Sequence, residues 1–424
     1  MRSLSVQSPA TRRYLNEWLY FEDLRRNDIL APRYSFANVV VNGEGWGIYA
    51  LEESFAKELL ESLGRREGVI VRYDESVFWE RRSLIYGDLL DEWNLGADPI
   101  GGTLESEAFS QVDEFGTTKV RSDPVLREQS LTALGLLRGF QSKELSPAEA
   151  FDAGLLGRYL AHTNLWAARH GLTWHNQRYY YNPLTSRLEP IAYDALPFAR
   201  EHVRLLNLSQ YDDLTVMESY ARETMRICQP DYVESFRATY LEEFQRYQEI
   251  LGREFPTVAL EPPWEQLIER QKLLWAALHP PQTVHADQAG DISSTTVDVQ
   301  VGNFVQYPVV LRQLRIGERV VGMQPDWVPD RDRVWVEAVA EPTLVLRSAA
   351  RVHGPQYITL RIPDTVVDSL LPEGSPLYSN TLQLVTSLYG VDDEIFGEDP
   401  HSHHRWQTSR VTPVQPSVEE VLLQ

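Results

Sequence analysis

The chain has 424 residues, with 61 acidic side chains against 40 basic ones and a formal net charge of −21. That balance excludes general nucleic-acid binding, which needs a basic face against phosphate, and it disfavours docking on anionic membrane. The single cysteine, Cys228, excludes an internal disulfide and a cysteine-rich zinc module, and no apolar run reaches the length of a membrane span.

The length suits two or three domains, and 11 Trp with 20 Tyr can fill a large aromatic core. The N-terminal MRSLSVQSPATRRYL lacks the apolar centre of a signal peptide, so the chain is expected in the cytoplasm. Residues 10–30 read as a helix capped at Thr11, with Leu15, Trp18, Leu19 and Leu24 near helical spacing. Tyr34–Val41 is rich in β-formers, Asn42-Gly43 is a hairpin turn pair, and Trp46–Leu51 returns as a strand. Glu52–Leu63 reads as an amphipathic helix stopped at Gly64, Gly68–Tyr73 as a short strand, and residues 91–124 as a long loop. Helices are expected at 125–140 and 147–169, the second opened by Ser146-Pro147 with Glu149. A β-hairpin follows: Arg178–Tyr181, a turn at Asn182–Ser186, and Leu188–Tyr193. Residues 211–252 read as helical with an interruption at Pro230, and 263–279 as a further helix ended by His279-Pro280-Pro281. From Thr295 to Ile362 the chain is Val-rich and runs in strand-length pieces, which predicts a small antiparallel sandwich or barrel. The boundary is placed in the polar stretch 282–293, and the residues from about 392 onward are expected to be poorly ordered.

The segment Trp174–Phe198 carries the strongest chemical signal. The hairpin sets Asn176 at one end and Asp194 at the other, on the same open side. An amide oxygen and a carboxylate brought together hold a divalent cation through oxygen ligands, as Mg²⁺ on nucleotide phosphates requires. Protein kinases use a catalytic-loop Asn and a later Asp in this way. The competing readings are local: Asp194 as a turn residue bonding nearby backbone, and Asn176 as an ordinary strand-start residue. Gly43-Glu44-Gly45-Trp46-Gly47 reads as a tight hairpin rather than a phosphate loop, and no GxxxxGK[ST] pattern occurs.

Together with Gln7-Ser8-Pro9-Ala10-Thr11-Arg12, Ala31-Pro32-Arg33-Tyr34, Val41-Asn42-Gly43 and Gly47–Glu53, this segment resembles the spore-coat CotH kinase family over roughly the first half of the chain. The resemblance implies an α+β protein. A partial atypical protein-kinase-like domain would occupy 1–282, a small antiparallel β-sandwich-like domain 294–390, and a tail 391–424. It implies ATP and Mg²⁺ (or Mn²⁺) as cofactors and phosphoryl transfer to a protein hydroxyl, with Asp194 and Asn176 as metal ligands. Glu53, ahead of Glu52, would organise the phosphate side through an ion pair; the bland reading of both is acids favoured at a helix N-terminus. Family membership also allows a spore-coat or cell-surface location.

Two departures lower the expected activity. The family's phosphate-binding Lys lies on strands before the QSPATR-like region, and this chain starts six residues before Gln7. No Asp falls between Asp152 and Asp194, so the usual kinase base is missing; Asn164, His170 and His175 are the nearest polar candidates, with His170 able to act near neutral pH. A weak or inactive kinase is therefore expected. The alternative is a non-catalytic pseudokinase or scaffold that binds a structural protein partner through its β-rich domain. A third reading is a metal-dependent hydrolase built from His162, His170, His175 and Asp194, without support from an HExxH spacing.

Overall fold

The computed structural model describes residues 3–77, 80, 110–199, 205–289, 295–340, 343–348, 357–373, 382–391 and 407–410. Helices and antiparallel sheets alternate along the chain, an α+β arrangement. It divides into two compact units: Met1–Leu206 with Arg226–Leu274, and Asn207–Met225 with Trp275–Gln424.

The first unit opens with β1 (Leu4–Gln7), a 3-10 turn Pro9–Arg12 and α1 (Leu15–Arg26). The helix begins later than Thr11, because Arg13 and Tyr14 both take positive φ and break the run. Thr11 instead donates its hydroxyl to the Ser8 carbonyl. Strands β2 (Tyr34–Val41) and β3 (Glu44–Glu53) form the expected hairpin, with Asn42 and Gly43 at φ 53° and 86°. Both central residues with positive φ make the turn whose twist matches the strands. β3 is central, flanked by β1 and β2.

The helix expected over Glu52–Leu63 is corrected. Glu52 and Glu53 end β3, and only α2 (Lys57–Glu61) is helical. Pairing on both edges carries β3 through a sequence with good helix propensity.

A four-stranded sheet follows in the order β5-β4-β6-β7: β4 (Ile70–Tyr73), β5 (Val112–Glu114), β6 (Arg178–Asn182) and β7 (Arg187–Ile191). The expected long loop 91–124 lies in part outside the described residues. Its end is structured, as β5 and α3 (Thr117–Ser122), elements too short to show a period. α4 (Pro124–Gln141) is capped by Asp123, and a Ser146/Glu149 capping box opens α5 (Pro147–Ala150). Phe151-Asp152 breaks the helix expected to run on, and Asp152 caps α6 (Ala153–Leu165). α8 (Pro230–Leu251) lies in this unit, as does α9 (Trp264–Leu278) up to Leu274; α7 (Leu214–Ile227) belongs to the second unit up to Met225. The core is aromatic: Trp18 meets Tyr247, Tyr20 and Phe236 meet Trp166, and Phe244 meets Trp264, all at edge or tilted angles.

The second unit holds two antiparallel sheets. One is β14-β9-β8, from β8 (Val284–Ala289), β9 (Thr296–Asn303) and β14 (Tyr357–Pro363). The other runs β12-β13-β10-β15-β16, with β11 (Arg319–Gly322) also on β10. Its members are β10 (Val309–Ile316), β12 (Val336–Ala340), β13 (Thr343–Leu346), β15 (Gln383–Leu388) and β16 (Gln407–Arg410). Helix α10 (Asp364–Leu370) contacts strands of both sheets. β8 falls inside the stretch read as a linker; Val284 and Ala286 alternate inward there and pair the strand with β9. The tail expected to be poorly ordered lies outside the described residues except for β16 and the residue before 392. Among the described residues no helix is long and apolar enough to cross a membrane.

Candidate functional site

Asp194 follows β7 on a segment with unusual backbone. Asp194, Leu196 and Phe198 take φ of 45°, 47° and 54°, three left-handed non-glycine residues within five positions. Such conformations cost about 1–3 kcal/mol each and persist where surrounding contacts over-determine them. The contacts are present. Glu17 of α1 accepts from the main-chain N–H of Ala195 at 2.9 Å and of Leu196 at 3.0 Å. Asn176 donates through Nδ2 to the carbonyls of His170 at 3.1 Å and Asp194 at 3.4 Å. Arg13 donates to the Phe198 carbonyl at 3.1 Å.

The Asp194 carboxylate forms an ion pair with Arg12, and His170 Nε2 lies 3.3 Å from its Oδ2. Arg12 also reaches Glu52 Oε2 at 4.0 Å and stacks over the Tyr193 ring at 5.0 Å. Glu52 is buried; Gln7 donates to its Oε2 at 3.1 Å, while Oε1 has no hydrogen-bond partner among the described residues. Burial raises the Glu52 pKa, opposed by Arg12 and Gln7. Burial pushes Glu17 up to about 8, against the pull of Arg12 and the two main-chain donors. Three acids from three elements thus gather about one guanidinium.

Asp194, Asn176 and His170 are brought together in this way. Asn176 spends Nδ2 on two carbonyls, which leaves Oδ1 as its ligand atom. A carboxylate and an amide oxygen are hard donors of the kind Mg²⁺ takes, but the Asp194 oxygens face Arg12 and His170, and Asn176 reaches Asp194 through its main-chain carbonyl. Glu53 lies on the opposite face of β3 from Glu52, as alternation demands, and it binds Arg33 through Nε at 3.0 Å and the main-chain N at 3.2 Å. The acid that meets Arg12 is therefore Glu52. Asn164 is buried in the core, where Oδ1 accepts from Arg270 at 2.7 Å and from Leu206 N at 3.3 Å. His162 turns away from His170 and His175 and bonds Asp23 at 2.9 Å, fully buried. Among the described residues no group of three or more His, Cys, Asp or Glu is arranged to hold a metal.

Arg12, Glu17 and Tyr193 also belong to the site. Arg12 stands at the end of the Gln7–Arg12 segment, and its partners lie far along the chain. Glu17 left a legible signal: with Tyr20, Phe21 and Leu24 it occupies one helical stripe, and an acid on an apolar stripe needs a buried partner. A cavity of about 320 Å³ is lined by Phe55, Phe115, Lys57, Glu58, Glu67 and Lys119, with Lys119 paired to Glu67. No protein-family model matches the chain, and no curated protein does.

Proposed function

We propose that the chain is a CotH-like protein of the kinase fold that binds ATP with Mg²⁺ and transfers phosphate slowly to a protein hydroxyl. The observation that carries this reading is Arg12, set between Glu52 and Asp194, with Asn176 tied to the Asp194 main chain. In kinase sites an acid-paired cation holds the phosphates while an Asp and an Asn hold the metal. Arg12 with Glu52 supplies the first pair here, in place of a Lys; Asp194 and Asn176 supply the second. Bound Mg²⁺ would neutralise charge on the phosphate oxygens. Glu17 fixes the loop that presents Asp194. His170 is partly exposed, and its Nε2 lies 3.3 Å from Asp194 Oδ2, which makes this imidazole the candidate base for an acceptor hydroxyl.

The test is incubation of the full chain with γ-labelled ATP, Mg²⁺ and a Ser/Thr-rich protein acceptor. Slow labelling is expected, reduced at least tenfold by Asp194→Asn and by His170→Ala. Labelling that neither substitution changes refutes the reading. A non-catalytic scaffold is the second reading, and the Arg12–Asp194 ion pair favours it, because that pair already neutralises the metal-binding carboxylate. ATP bound without transfer to any acceptor selects the scaffold, with the β-rich unit as the surface for a protein partner.

A further inference from the structure

In a chain of net charge −21, three arginines line up on one strip of the first unit. Arg72 on β4 and Arg178 on β6 are directly opposed across antiparallel strands. Like charges in that position repel. The Phe115 ring lies between them, 4.7 Å from the Arg72 guanidinium and 5.7 Å from that of Arg178. Tyr193 continues the strip, 4.9 Å from Arg178 and 5.0 Å from Arg12. Phe55 packs against both rings at 5.0 and 5.1 Å. The Nε atoms of Arg12, Arg72 and Arg178 are all buried with no hydrogen-bond partner among the described residues. Burial lowers the Arg178 pKa to about 10, and Arg72 and Arg12 push in the same direction against Glu75 and Tyr193. Carboxylates flank the strip: Asp194 and Glu52 face Arg12, Glu75 reaches Arg178 at 3.4 Å, Asp113 is directly opposite Arg72 on β5, and Asp74 lies near Arg72.

Arg178 spends Nη1 on the carbonyls of His175 and Gln177 at 2.6 and 3.0 Å, and Arg12 spends Nη1 on Asp194, so the buried donors left unbonded among the described residues are the three Nε atoms. Aromatic faces that hold three guanidinium groups in a row, each with Nε unbonded, make a receptor for a multiply charged anion. The planar guanidinium fork matches phosphate oxygens, and stacking fixes the fork before the ligand arrives. We propose that Arg12, Arg72 and Arg178 form a binding strip for a condensed phosphate chain, with Arg72 and Arg178 anchoring the part farther along the strip from Asp194. This rests on the nucleotide-binding reading and deepens it, but the strip needs no metal.

The experiment is calorimetric titration of the full chain with inorganic tripolyphosphate in EDTA, for the wild type, Arg72→Gln and Arg72→Lys. Circular dichroism checks that each variant folds. Arg72 is the residue to change because no hydrogen bond ties it to the described core, and removing it relieves the repulsion on Arg178. The expected result is metal-independent binding by the wild type, at least tenfold weaker in Arg72→Gln and intermediate in Arg72→Lys. Absence of tripolyphosphate binding at millimolar concentration, or equal binding by all three proteins, overturns the strip. The two readings fail separately. Mg²⁺-dependent ATP binding that requires Asp194 but ignores Arg72 overturns the strip alone. Tripolyphosphate binding that requires Arg72, with ATP binding indifferent to Asp194, supports the strip and overturns the metal centre.

Discussion

Asp23→Asn is the substitution whose cost follows most directly from the geometry. Asp23 is fully buried on α1. Its Oδ2 accepts from His162 Nδ1 at 2.9 Å and Trp166 Nε1 at 2.8 Å, and its Oδ1 from the Tyr232 hydroxyl at 2.5 Å. Burial alone drives this carboxyl up; the charge and hydrogen bond of His162, then Tyr232 and Trp166, overcome it and hold the pKa below 3.8. An amide of the same shape can turn its oxygen to His162 and Trp166 and its NH₂ to Tyr232, but the Tyr232 hydroxyl then loses its acceptor and the charge that faces His162 is gone. Hydrogen bonds to a charged group contribute about 1.5–3 kcal/mol each, and breaking a buried charge pair costs about 3–5 kcal/mol. The expected loss is therefore about 3–5 kcal/mol, read from urea unfolding of the full chain by Trp fluorescence. A loss below about 1 kcal/mol would refute the reasoning. The sign with pH follows: a depressed folded pKa gives stability that is complete above about pH 4, the ordinary range for an Asp, and lost as pH falls through the folded value. Asp23→Asn is expected to remove that acid-side loss as well. The network ties α1 to α6 and α8, so it also fixes the helix that carries Glu17.

Three further outcomes are expected. Glu17 has a folded pKa of about 8 against 4.5 for the free side chain, so the folded state holds an extra proton between those values. Stability is then highest near pH 4.5 and falls as pH rises towards 8, by about 1.4 kcal/mol per unit for one proton; Glu17→Gln should flatten that slope, and an unchanged slope in urea titrations contradicts it. Gly47 sits at φ +92°, where an added Cβ would meet Glu254 Oε2 at 2.5 Å, and that same oxygen accepts from Ile48 N. Gly47→Ala should cost about 1–3 kcal/mol in the same assay, and a neutral effect contradicts it. Arg270→Lys loses the fork that bonds both the carbonyl and Oδ1 of Asn164, and should destabilise by about 2–4 kcal/mol; a loss under 0.5 kcal/mol, roughly the scale of a surface change, contradicts the assignment.

What could be read from the chain divides along physical lines. The β2–β3 hairpin, the Ser146 start and the Val-rich strands were legible because turn chemistry and period are local properties. Glu52 and Glu53 were misassigned because a run of good helix formers was held extended by partners on both edges, which no local window contains. β8 reads as linker in the sequence because two small inward residues make a weak alternation. The hairpin between Asn176 and Asp194 made their proximity legible, and Asn176 Nδ2 does reach the Asp194 carbonyl at 3.4 Å. Arg12 and Glu17 were not given roles, because their contacts to residues near 194 span more than 170 positions of sequence, and only the fold closes that distance.

The central claim is that the group around Arg12, Asp194 and Asn176 holds a metal-bound nucleotide. Calorimetric titration of ATP into the full chain, with Mg²⁺ and with EDTA, and with Asp194→Asn beside the wild type, tests it most directly. The account expects binding that needs Mg²⁺ and weakens at least tenfold in Asp194→Asn. No binding at millimolar ATP, or binding indifferent to both Mg²⁺ and Asp194, contradicts it.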